Sequence, residues 1–442
     1  MKKNFILFLT FIALGCCNMR TSNAQDFIGF NTHAYSGVTG VDINPANIVE
    51  TVYRADINVG GASLYAYNNY LKFNPKALWK WSMDKDKSTE VDPRGLNTNV
   101  YANTRLQLPS AMFQLPDKSA RRSTAFAFTW QLRTGLRVDN IGTELSKLVY
   151  EDWQFADYNH DLNDLTENQP YTSNEFNARL LSWQEIGLSV AQMFSHEAHR
   201  FKFGARLKYL SGSSAYYLES ENPNYTVHSD STLNVYNSSF LYGHTTQDNP
   251  FAYFQNEATG LGYDLGFKYS YKNQYVFGVS LVDGGMLNFD KAEGSGDFNM
   301  NEEGWYLGNT SFDGVESFDD TLAVHANFIG DKRQFKVQLP TALSFQAMIY
   351  LWEAGVFEGG GPHNVFIMFS SYHPLKMNGA DQYINAIGSY TVTPGIHSIS
   401  TAIGFPFTVN ELGSYHLGLM LRLGPFVMGS KNLLTNLTQK SI

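Results

Sequence analysis

The sequence predicts an all-β protein: a transmembrane antiparallel β-barrel preceded by an export signal. Three observations predict it. Segments of about ten residues alternate apolar and polar side chains, the pattern of a strand with lipid on one side. Charged residues are 17% of the chain, below the roughly 25% of soluble globular domains, while Phe, Trp and Tyr reach 15%. Beyond the N-terminus no apolar run approaches the roughly 18 residues that a membrane helix needs. A barrel strand offers only every second residue to lipid, so the average stays polar, and mean hydropathy is −0.27.

The N-terminus reads as a signal peptide over residues 1–24. Lys2 and Lys3 make a basic start, residues 5–14 are apolar apart from Thr10, and Ser22-Asn23-Ala24 supplies small residues at a peptidase spacing, with Gln25 as the new N-terminus. Lipoprotein cleavage at Cys16 or Cys17 is the alternative, although Ala13 stands where a bulky aliphatic residue is expected. The two cysteines of the chain are this pair. Cleavage after Ala24 leaves none for disulfides, thiolate metal sites or cysteine catalysis.

Strand signals follow. In 123–134, Phe126, Phe128, Trp130 and Leu132 alternate with Ala127, Thr129, Gln131 and Arg133. In 201–209, Phe201, Phe203, Ala205, Leu207 and Tyr209 alternate with Lys202, Gly204, Arg206 and Lys208. A helix would spread these charges around its circumference; a strand gathers them on one face. Residues 262–283 read as a hairpin turning at Lys272-Asn273-Gln274. Further segments are 55–66, 99–108, 182–194, 335–351, 364–373, 383–393, 398–407 and 415–423, about a dozen strands in all. Tyr209, Tyr269, Tyr271, Tyr275, Tyr350 and Tyr372 stand near strand ends, where an interfacial girdle is expected. A soluble β-sandwich with aromatic core is the alternative, but its strands average only about five or six residues.

Tight turns alternate with long polar stretches, at about 80–98, 139–175, 220–259 and 283–332. Short turns on one side and long loops on the other, outside the cell, is the asymmetry of bacterial barrels. The loops are a candidate docking surface for a protein partner, and outer-membrane lipid is the expected surround. With 41 acidic against 32 basic residues the net charge is −9, so no basic excess exists to neutralise phosphates and nucleic acid is not expected as a partner.

No catalytic constellation is found, and neither an enzymatic activity nor a cofactor is expected. The eleven histidines form no His-Glu-x-x-His, and no Gly-x-Ser-x-Gly occurs. Asp157, His160, Asp161 and Asp164 lack the glycine and closing glutamate of a calcium loop. Gly359-Gly360-Gly361 precedes Pro362 and a strand, which makes it a turn. The remaining candidates are lumen-facing charges: Lys202, Arg206 and Lys208 on one strand face, with Glu185, Asp264 and Lys268 on neighbouring strands. They either line an anion-favouring path or pair with one another to fill the interior, since buried charges need partners.

Residues 35–48, Tyr-Ser-Gly-Val-Thr-Gly-Val-Asp-Ile-Asn-Pro-Ala-Asn-Ile, followed by Tyr53-Arg54-Ala55-Asp56-Ile57-Asn58, resemble a Bacteroidota outer-membrane family of unknown function, as do Leu423-Gly424-Pro425-Phe426 and Asn432-Leu433-Leu434. The Asn44-Pro45-Ala46 turn, the 262–283 hairpin and Leu339-Pro340-Thr341 also resemble the wider FadL/PorV-like superfamily, which includes the long-chain fatty-acid transporters. The resemblance implies a barrel of about fourteen strands over residues 55–442, with residues 25–54 as a plug-like segment associated with the lumen and Asn44, Pro45 and Ala46 as its motif. It also implies a further strand ending in an aromatic residue; the sequence stops at Ser441-Ile442, so the barrel is expected to lack that strand or to close differently. The expected role is passive transport of small hydrophobic or amphiphilic molecules; the alternative is a non-enzymatic subunit of a secretion, gliding or surface-attachment complex.

Overall fold

The computed structural model describes residues 36–49, 51, 53–73, 89–91, 97–116, 121–143, 145–146, 170–172, 175–221, 223–228, 232–245, 251–272, 274–290, 293–306, 323–326, 334–351, 364–384, 387–398, 401–411, 413–431 and 434–435. The signal-peptide reading, residues 25–35, the 157–164 stretch and the triple glycine at 359–361 lie outside them.

The strands among the described residues are β1 (Ala55–Asn58), β2 (Gly61–Asn68), β3 (Leu71–Phe73), β4 (Thr89–Val91), β5 (Asn97–Gln107), β6 (Ser110–Pro116), β7 (Arg122–Gly142), β8 (Pro170–Thr172), β9 (Phe176–His196), β10 (His199–Glu221), β11 (Asn224–Val227), β12 (Thr232–His244), β13 (Ala258–Tyr271), β14 (Tyr275–Phe289), β15 (Glu293–Tyr306), β16 (Phe335–Gln338), β17 (Ala342–Tyr350), β18 (Asn364–Pro374), β19 (Gln382–Tyr383), β20 (Ser389–His397), β21 (Thr401–Gly404), β22 (Phe407–Asn410), β23 (Tyr415–Leu417), β24 (Leu419–Leu423) and β25 (Phe426–Ser430). All but β3 and β4 join one 23-stranded sheet. Its ladders are antiparallel except for a short parallel pairing of β16 with β19. Two short 3-10 helices, Gly37–Asp42 and Pro45–Ile48, precede the strands.

The two faces of the sheet have opposite character, and the ladders align that difference row by row. Across β7, β9, β10 and β13 the open face stacks Phe126, Val190, Ala205 and Leu265; then Phe128, Leu188, Leu207 and Tyr263; then Trp130, Ile186, Tyr209 and Leu261. The covered face of the same strands stacks Ala125, Ala191, Gly204 and Gly266; then Ala127, Ser189, Arg206 and Asp264; then Thr129, Gly187, Lys208 and Gly262. Leu188 and Leu207 are 65% and 62% exposed, while Lys208, next in sequence to Leu207, is 1% exposed. Water-soluble proteins show the reverse polarity. Because side chains alternate with a period of two, a one-residue slip of any strand would exchange the faces, so the pattern also sets the register.

The sheet curls until its two ends come within side-chain reach. The Arg422 guanidinium lies over the Tyr53 ring at 5.3 Å, and the Lys431 ammonium lies over the Tyr65 ring at 5.0 Å. The Asn410 amide donates to the Tyr65 hydroxyl at 3.3 Å, and Arg137 reaches Glu411 at 3.7 Å. Among the described residues no ladder joins β25 to β1 or β2.

Three expectations need correction. The stretches 220–259 and 283–332 contain β11, β12 and β15, which pair into the sheet instead of looping freely. Their alternation is carried largely by Asn, Ser, Glu and Tyr, as in the Asn234, Tyr236 and Ser238 set of β12, so composition conceals the period. Several expected segments are not single strands: 383–393 divides between β19, ending at Tyr383, and β20, starting at Ser389, while 55–66, 335–351, 398–407 and 415–423 divide between β1 and β2, β16 and β17, β21 and β22, and β23 and β24. Of the expected girdle tyrosines, Tyr209 is exposed, whereas Tyr275, Tyr350 and Tyr372 are buried in apolar clusters. Standing near a strand end does not say which face a residue takes.

Candidate functional site

The N-terminal segment lies against the covered face of the wall. Its path is set by Asn44, whose extended backbone (φ −157°, ψ 114°) caps the second 3-10 helix. The Asn44 Oδ1 accepts from the Ala46 amide at 2.9 Å. Its Nδ2 donates to Gln346 Oε1 at 2.9 Å and to the Phe267 and Val279 carbonyls at 3.2 and 3.3 Å. The Ser280 hydroxyl donates to the Ile43 carbonyl at 2.5 Å, and Asn47 Nδ2 donates to the Gly40 carbonyl at 2.9 Å. A turn built this way satisfies both ends of the Asn44 amide and grips three strands at once.

Close docking needs a wall without side chains. A Cβ at Gly204 would collide with the backbone of Pro45 and Ala46, and a Cβ at Gly266 with Asn44 Oδ1 and the Pro45 ring. These glycines are register partners on β10 and β13, so they form one shallow seat. Val38, Val41, Ile48 and Val49 of the segment pack on Met112, Ala125, Ala127, Ala191 and Met193, which supplies an apolar base.

Beside that seat lies a layer of buried charge. Arg206 reaches Asp42 at 3.0 Å, Asp264 at 3.4 Å and Glu185 at 3.5 Å. Lys208 reaches Asp283 at 2.6 Å, Asp264 at 2.8 Å and Glu185 at 4.0 Å. Arg133 reaches Asp283 at 2.8 Å and Glu185 at 3.4 Å, and Arg105 reaches Asp42 at 3.2 Å. Four carboxylates (Asp42, Glu185, Asp264, Asp283) therefore face four cations (Arg105, Arg133, Arg206, Lys208), and every side chain is at most 6% exposed. The balance matters, because one uncompensated charge in such surroundings costs about 3–5 kcal/mol. Gln131 adds two donations to the Asp42 carboxylate, at 2.8 and 2.9 Å. The Arg133 guanidinium also lies over the Trp183 ring at 4.7 Å. Beyond the layer the covered face turns apolar again, with Leu181, Trp183, Leu210, Phe289 and Phe335 in one packed cluster.

Of the six charges singled out in the sequence, the structure brings Glu185, Arg206, Lys208 and Asp264 into this layer. Lys202 and Lys268 are buried on the same face but stand opposite each other one row further along, separated from it by the Gly204 and Gly266 seat. The Asn44-Pro45-Ala46 motif lies on that seat. Sequence reasoning missed Asp42, Arg105, Arg133 and Asp283. Asp283 turns inward at a β-bulge, where the β13–β14 register shifts opposite Asp264 and Asp283 takes a left-handed φ of 55°. Asp264 Oδ1 accepts the Asp283 amide at 2.6 Å. The Asp283-Gly284-Gly285 run is a bulge signal that was available in the sequence. Asp42 carried no such signal, since its partners come from β5, β7 and β10.

These features define an all-β protein whose single large antiparallel sheet turns apolar side chains outward and closes a charge layer over its own N-terminal segment. The chain belongs to a family of unknown function, DUF5723, whose pattern matches residues 45–430. No curated protein matches the chain.

Proposed function

We propose that this chain is a non-enzymatic outer-membrane β-barrel, closed at rest by its own N-terminal segment, that admits small hydrophobic or amphiphilic molecules when that segment shifts. The inverted polarity of the sheet carries the reading: leucine and aromatic rows face outward while arginine, lysine and carboxylates are buried behind them. Between the row of Phe194, Phe201 and Tyr269 and the row of Trp130, Ile186, Tyr209 and Leu261 lie eight residues of strand. At about 3.3 Å per residue that is roughly 26 Å along the strand. Tilted by about 40°, it matches most of a lipid-facing band about 25 Å tall. The apolar cluster beyond the charge layer supports a cargo with an apolar body. The signal-like N-terminus supports export, and the outward apolar rows support the outer membrane as location.

The N-terminal segment docked on the wall and the buried charge layer beside it favour a second reading. A barrel with a packed lumen is suited to act as a platform in a secretion, gliding or surface-attachment complex, its long connections meeting the partner. Planar-bilayer recording, uptake of a hydrophobic probe and co-purification from native membranes separate the two. Uptake without a partner supports transport; a silent barrel that retains a partner through detergent supports the platform.

The membrane reading itself is tested by Leu207→Arg. A cation at the middle of a lipid-facing band costs about 2–4 kcal/mol of folding into a bilayer. The expected result is a matching loss in a urea titration of the vesicle-inserted protein. An unchanged midpoint would mean that this face does not meet lipid.

A further inference from the structure

We infer that residues 251–257, between β12 and β13, form a strap on the outer face of the wall that seats Phe251 and Phe254 in lipid at the edge of the apolar band. The inference rests on the membrane reading above. The strap is held by polar contacts to the wall's open face. Tyr253 is buried, and its hydroxyl lies 2.7 Å from Thr134 Oγ1, which in turn lies 3.0 Å from Ser182 Oγ. Thr134 has the parity of Phe128 and Trp130, and Ser182 that of Ile186 and Leu188, so both are on the lipid-facing side. The Ser211 hydroxyl donates to Asn256 Oδ1 at 3.1 Å, and the Glu257 amide donates to the Gly212 carbonyl at 2.9 Å.

These anchor points lie immediately beyond the last apolar row, where the open face has become polar. Phe254 closes the gap between them: its ring meets Trp130 of that row edge-on, at 6.5 Å. Phe251 and Phe254 are nonetheless 62% and 69% exposed. A strap in water would turn its aromatic rings to the wall and its polar groups outward; this one does the opposite. Aromatic side chains at the boundary between acyl chains and headgroups satisfy that arrangement. Lipid is favoured as the occupant because the two rings continue the apolar band.

The test uses single nitroxide labels, since replacing Cys16 and Cys17 with Ser leaves a chain without cysteine. Phe254→Cys, Leu207→Cys within the band and Lys272→Cys in the turn between β13 and β14 are labelled separately and reconstituted into phosphatidylcholine vesicles. Collision rates with oxygen, which concentrates in acyl chains, and with a water-soluble nickel complex report depth. The expected result is an oxygen-favoured ratio at position 254, smaller than at 207 and shifted away from the aqueous ratio at 272. An aqueous ratio at 254 with a lipid ratio at 207 overturns the strap and leaves the membrane reading intact. Aqueous ratios at both positions overturn both. Shielding of 254 from both agents means that protein covers it and overturns lipid as the occupant. Phe251→Cys provides the same reading should Phe254→Cys fail to insert.

Discussion

On the barrel reading proposed above, Asp42→Ala is expected to raise conductance in planar bilayers. Asp42 is the one carboxylate of the charge layer that belongs to the N-terminal segment; the other three belong to the wall. Its removal leaves Arg105 and Arg206 without the partner they hold at 3.2 and 3.0 Å, and strips Gln131 of its acceptor. Breaking a buried pair from one side costs about 3–5 kcal/mol. At 1.4 kcal/mol per tenfold, that shifts the docked segment toward release by roughly a hundredfold to several thousandfold. The wall keeps its ladders, so the variant should still insert and should keep the heat-dependent gel mobility of a folded barrel. Asp42→Asn retains hydrogen bonding without charge and should fall between the two. A folded Asp42→Ala protein that remained silent would show that the charge layer does not hold the segment in place.

The second large effect is expected from Gly266→Val, which leaves every charge untouched. The new side chain would occupy the space of Asn44 Oδ1 and the Pro45 ring, so the Asn-Pro-Ala turn must lift from its seat. Lifting breaks the contacts of Asn44 Nδ2 with Gln346 and with the Phe267 and Val279 carbonyls, at about 0.5–1.5 kcal/mol per hydrogen bond. The steric clash adds to that cost. Conductance is expected to rise without loss of insertion. Gly60→Ala is the control, because a Cβ there meets only the Gln107 carbonyl, at an ordinary 3.5 Å. Identical traces from Gly266→Val and Gly60→Ala would mean that the turn does not close the path. Opening by Asp42→Ala but not by Gly266→Val would place the barrier in the charge layer alone.

Much of this was legible in the sequence where a period of two is enough. Alternation separated Leu207 from Lys208 and Tyr263 from Asp264, and so put the members of each pair on opposite faces. The tight turn after Tyr271 was equally local. Strand ends were harder to read. The expected segments 123–134 and 201–209 are the N-terminal parts of strands of 21 and 23 residues, and beyond them the apolar–polar alternation lapses, as in Ser211-Gly212-Ser213-Ser214. The strap was invisible for a related reason, since Tyr253 and Phe254 carry no periodic signal and only Thr134 and Trp130 disclose their orientation.

Within the clearly alternating stretches the sequence alone divided the side chains between two faces, because successive side chains of a strand point to opposite sides. It also placed Asn44-Pro45-Ala46 in a turn, through proline's restricted φ and asparagine's tolerance of unusual backbone angles. Only the tertiary structure decided which charge meets which. Asp42 joins Arg206 across 164 residues of chain, and Arg133 joins Asp283 across 150. Such pairings depend on strand register, on a bulge that turns Asp283 inward and on glycines that let the N-terminal segment approach the wall. Those are properties of neighbouring strands in space, and no local stretch of sequence contains them.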